Sequence, residues 1–123
     1  MAAITLPAHA GAPVRYQSLV TSQAPQSIRL GLGIMHGFFA NNNAAAARFL
    51  KLYDKATAPV IGTDAPFLVV PLAAAPGVAS LQLAQGISFQ LGLGASLALT
   101  FADSDTTTAG LAASDIVATF VVT

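Results

Sequence analysis

Charge is what this chain has least of. Its 123 residues include five Lys and Arg and five Asp, with no Glu, so charged residues make up 8%. Ordinary soluble domains carry about 25%. Cysteine is also absent, which excludes a disulfide framework and any thiolate metal site and leaves the redox compartment open. Tryptophan is absent and there are two Tyr, a thin supply of the side chains that stack on sugars while offering a polar handle. The remaining composition is 54% hydrophobic at zero net charge.

These absences constrain the surface. A domain of this length cannot hide every apolar side chain, and its exterior is normally kept wet by Lys, Arg, Asp and Glu. Here that exterior must be covered by Ala, Ser, Thr, Gln and Asn with leftover apolar groups. Zero net charge favours association over colloidal solubility, and depletion of charge marks interface cores. The composition therefore points to a self-associating building block rather than an enzyme. Arg15, Arg29, Arg48, Lys51 and Lys55 are few and matched by acids, which argues against direct binding of nucleic acid.

High hydropathy raises the question of membrane insertion. Residues 65–102 contain no charge, but Pro66, Pro71, Pro76, Gln82, Gln85, Ser88 and Gln90 interrupt them. No run reaches the roughly 18–20 apolar residues of a spanning helix. The N-terminus lacks a basic region and Pro7 breaks its apolar stretch, so no signal peptide is expected. The expected site of synthesis is the cytoplasm.

One domain fits the length, and no internal repeat is found. Residues 1–13 lack periodicity and read as an irregular N-terminal arm suited to a subunit contact. Residues 14–123 show short β-favouring runs separated by turn residues, the pattern of an antiparallel all-β sandwich or barrel. The expected strands are Val14–Thr21, Ser27–Leu32, Met35–Ala40, Arg48–Tyr53, Phe67–Leu72, Ile87–Leu91, Ala95–Phe101 and Ile116–Val122. Gly31 and Gly33 flank a bend, and Asn41, Asn42 and Asn43 suit left-handed turn geometry. In the run from Arg48 to Asp54, Leu50 and Leu52 share one face with Arg48. Phe49, Lys51 and Tyr53 share the other, with the Arg48 and Lys51 stems expected to reach water. Gly92 and Gly94 are read as a kink between two strands.

Catalysis needs convergent polar groups, and few are present. His9 lies in the arm, and His36 sits among Met35, Gly37 and Phe38, where a hydrogen-bonded structural histidine is expected. Asp103, Ser104 and Asp105 could offer oxygens to a hard cation, but no EF-hand spacing follows, and an Asp-rich turn capped by its own backbone is the simpler reading. The glycines around Ile34 and Leu93 match no phosphate loop, and no GxSxG or HExxH occurs. No catalytic, cofactor-binding or metal residue is assigned, and no cofactor is expected. Gly62, Thr63 and Asp64 before Pro66 read as a tight turn in which a side chain bonds the backbone.

That turn also carries a resemblance. Lys51–Asp54, Gly62–Pro66, Gly86–Phe89 and Asp105–Thr107 fit a pattern in which a strand ending in Leu-Tyr-Asp leads through a Pro-containing loop to Gly-Thr-Asp-x-Pro. A later Gly-Ile-x-Phe pair then precedes a Thr-containing strand and an Asp-Thr-rich loop. Over residues 36–123 the chain resembles small virion structural proteins of tailed bacteriophages. The resemblance implies a jelly-roll-like β-sandwich subunit, a homotrimer, that decorates or cements the capsid exterior by binding between copies of the major capsid protein. It equally admits a head-fibre or tail-associated module that recognises a host surface glycan. Neither role involves a membrane or direct contact with nucleic acid.

Overall fold

The computed structural model describes residues 12–18, 24–106 and 115–123. Eight strands and no helix occur among them. They are β1 (Ala12–Gln17), β2 (Gln26–Leu30), β3 (Gly33–Asn42), β4 (Arg48–Asp54), β5 (Leu68–Leu72), β6 (Gly77–Phe89), β7 (Gly92–Ala98) and β8 (Ile116–Val122). They form two antiparallel four-stranded sheets packed as a sandwich. Sheet I has the order β1-β8-β3-β6 and sheet II the order β2-β7-β4-β5.

The pairing has a simple logic. β1 pairs with β8, β2 with β7, β3 with β6 and β4 with β5, as in one long antiparallel ribbon turned between β4 and β5. Rolling that ribbon adds the β3–β8 and β4–β7 ladders that complete the two sheets.

Alternation then decides what is inside. Tyr16, Met35, Phe38, Ala40, Ile116, Ala118, Phe120 and Val122 of sheet I face Leu50, Leu52, Leu72, Leu93, Ala95 and Leu97 of sheet II, all in one buried cluster. Phe120 sits at its centre, with ring centroids 5.8 Å from Phe38 and 6.4 Å from Tyr16. The Tyr16 hydroxyl donates to the Ala24 carbonyl at 2.9 Å. Burial pushes its phenol far above the ordinary value, so it remains a neutral donor.

Several strands differ from their expected bounds. β1 begins at Ala12, so two residues expected in the arm belong to the sheet. The rest of the arm, His9 and the expected strand end at Thr21 lie outside the described residues. Asn41 and Asn42 are part of β3 rather than a turn. Buried Asn42 earns that place through its amide: its oxygen accepts the Ala44 N–H at 2.8 Å, and its nitrogen donates to the carbonyls of Ala46 at 3.2 Å and Ala73 at 2.9 Å. β6 starts ten residues before the expected Ile87, and β7 starts at Gly92 rather than Ala95. The expected glycine kink falls instead at Gln90 and Leu91, where the Asp54 carboxylate accepts their backbone N–H groups at 2.9 and 2.8 Å.

Candidate assembly surface

The outer faces of the two sheets are treated differently by the chain. On sheet II, Phe49, Lys51, Tyr53 and Ser96 point away from the core, and the connections after β4 and β7 fold back over them. Phe101 packs on Phe49 at 6.4 Å between ring centroids, and the Lys51 ammonium donates to the Ala102 carbonyl at 2.5 Å. The Tyr53 and Ser96 hydroxyls bond at 3.2 Å. A Cβ on Gly94 would lie 3.0 Å from the Pro59 ring, so that loop rides directly on the strand. Lys51 is fully buried and does not reach water as its sequence position suggests. Lys51 does sit on the outward face that its alternation implies, but the returning β7 connection supplies a carbonyl in place of solvent.

The Gly62–Pro66 turn holds this cover in place. Thr63 and Asp64 both donate backbone N–H groups to the Val60 carbonyl, at 3.2 and 2.9 Å. The Asp64 carboxylate accepts the Val60 N–H at 2.7 Å and the Lys55 ammonium at 2.5 Å, and these two contacts hold its carboxyl below the usual range. In the Asp103–Asp105 turn, the Asp105 carboxylate accepts both the N–H and the hydroxyl of Thr100 at 3.0 Å, which engages it with the chain's own backbone. Among the described residues no group of three or more His, Asp or Glu is gathered to hold a metal ion.

Sheet I has no such cover among the described residues. Registers order its outer face in rows: Gln82, Gly37, Val121 and Pro13; then Ser80, Phe39, Thr119 and Arg15; then Val78, Asn41, Val117 and Gln17. Arg15, at one edge, is its one charge. Phe39 is 50% and Val78 58% exposed. This mixture of apolar and neutral polar groups with little charge is the composition of a protein interface.

A concavity of about 590 Å³ lies in this face, lined by His36, Phe39, Ser80, Gln82, Thr119 and Val121. A bulge creates it. His36 is extra in β3 relative to β8, and residues 83–86 of β6 stand opposite it. Gly37 forms the floor, where a Cβ would meet the Leu81 carbonyl oxygen at 2.3 Å. His36 Nε2 lies 3.0 Å from the Thr123 hydroxyl, the hydrogen-bonded setting expected of it. Sequence reasoning missed this hollow because the signal is a register shift, which a single strand's pattern does not carry.

An apolar tip is a further feature of the surface. Leu30 and Leu32 flank the β2–β3 turn at 70% and 68% exposure, beside Leu91, whose carbonyl accepts the Gly31 N–H at 3.0 Å. No helix among the described residues is long and apolar enough to cross a membrane. No protein family, curated protein or solved structure matches the chain.

Proposed function

We propose that the chain is a structural virion protein of a tailed bacteriophage, a decoration or cement subunit that stabilises the capsid exterior by binding between copies of the major capsid protein. The observation that carries this reading is the contrast between the faces of the sandwich. The chain uses two connections to cover sheet II, and among the described residues sheet I is left bare, nearly uncharged and partly apolar, as a surface meant for neighbours would be. The strand orders β1-β8-β3-β6 and β2-β7-β4-β5 support a jelly roll, an architecture that recurs in viral capsid subunits. Scarcity of charge throughout, with acids and bases balanced, supports a subunit that functions in an assembly. No catalytic residue is proposed.

The test is binding to phage heads that lack the chain. Purified protein should pellet with them to a fixed copy number and raise their resistance to heat. Protein that stays in the supernatant at micromolar concentration would contradict the reading.

One observation favours a second reading, a fibre- or tail-associated module that recognises a glycan. The sheet I hollow offers the half-exposed Phe39 ring beside the Ser80 and Thr119 hydroxyls and the Gln82 amide, with no Lys, Arg, Asp or Glu in the lining. Such a site suits a neutral sugar, and jelly rolls also serve as lectins. A glycan array without hits would remove it.

A further inference from the structure

Four strands lie at sheet edges: β1 and β6 in sheet I, β2 and β5 in sheet II. An open edge presents unpaired N–H and C=O groups to any other strand, and folded proteins blunt it with proline, charge, a bulge or short length. β1 carries Pro13 and Arg15. β2 has five residues, a register shift and Arg29. β5 also has five residues, and Pro71 lies within it. β6 differs: it has 13 residues with neither proline nor charge. Its bulge at residues 83–86 disrupts only the distal half, and Gly77–Gln82 keeps an unbroken register with β3.

We infer that the Gly77–Gln82 edge of β6 pairs antiparallel with the same segment of a second copy, joining two sheets I into one eight-stranded sheet. The inference rests on the reading that sheet I is buried in an assembly. The edge itself selects the class of occupant, because a row of free backbone donors and acceptors is satisfied by an extended strand. The sequence selects a copy of itself. An isologous contact sets each residue against its own chemistry, and charged strands repel across such an axis. With the axis at Ser80, Val78 faces Gln82 of the second copy and no like charges meet. Antiparallel pairing is what a two-fold axis normal to the sheet imposes. It also places the two hollows beside Phe39 on the same side of the joined sheet.

The experiment is sedimentation equilibrium of the full chain across a concentration series, with Ser80→Lys/Gln82→Lys as the variant. Wild type should approach twice the 12.4 kDa chain mass. In the variant, lysines confront each other across the axis, and its dimer dissociation constant should rise by about 100-fold or more. An unchanged far-ultraviolet spectrum and cooperative unfolding would show that it is folded. Arg15→Glu, at the opposite edge, should leave the dimer intact. A monomeric wild type, a dimer that survives both lysines, or a mass three times that of the chain would overturn the pairing. The threefold mass would still agree with the homotrimer implied by the phage resemblance. Head binding by the lysine variant separates the two ideas further: retention would leave the virion reading standing without the β6 contact.

Discussion

At the residue scale, the few polar groups taken inside are used to fix connections. Asn42 is the clearest case, since one buried amide joins the β3–β4 loop to the strand after which Ala73 follows. Asn42→Ala leaves a buried N–H and two carbonyls short of partners, and should cost about 2–3 kcal/mol. Urea unfolding should show a lower midpoint at unchanged slope. Asp54 does the same work at the surface. Backbone N–H groups of Gln90, Leu91 and Gly92 hold its carboxyl below the usual range, and Asp64 is lowered chiefly by Lys55. A depressed folded-state value means that the unfolded chain binds more protons in acid. This contribution is therefore complete above the ordinary carboxylate range near pH 4, and is lost as pH falls through the folded values. Asp54→Asn should flatten the acid limb of a stability–pH curve measured by urea midpoints from pH 7 to pH 2. A limb as steep as wild type would contradict the role.

At the level of elements, close backbone approaches set the shape of the outer faces. Gly37 has no room for a Cβ, which would meet the Leu81 carbonyl oxygen at 2.3 Å. Gly37→Ala should strain the β3–β6 ladder by about 1–3 kcal/mol. The Gly31 site has open space, but its φ of +89° belongs to the left-handed region, so Gly31→Ala should cost about 1 kcal/mol through backbone strain alone. Paired melting curves would rank the two. The same elements show what the sequence could disclose. β4 and β8 were legible because Leu50 and Leu52, or the β-branched residues around Phe120, alternate against outward neighbours. The first ten residues of β6 were not. Val78, Ala79, Leu81 and Leu83 lie among small and polar residues after Pro76 and Gly77, a composition that reads as a loop until β3 supplies a partner. Asn42 differs for another reason: its amide does serve the turn, bonding Ala44 and Ala46 just after it and Ala73 from a distant connection, while its own backbone stays in β3.

For the whole molecule, scarcity of charge was legible from composition alone, but where it matters was not. Two of the five basic residues are engaged on the sheet II side, Lys51 beneath the cover and Lys55 within it, paired with Asp64, and sheet I keeps Arg15 at its rim. Which face is bare depends on the connections after β4 and β7 crossing the same sheet, a tertiary fact that strand periodicity does not encode. The bare face and its β6 margin are proposed to be covered by protein. Sedimentation equilibrium of the purified chain from low to high micromolar concentration tests it most directly. With that face covered by further copies, the mass should rise from 12.4 kDa to a defined multiple, twofold if β6 pairs as inferred. A mass fixed at 12.4 kDa across the whole range, with no binding to phage heads, would contradict it.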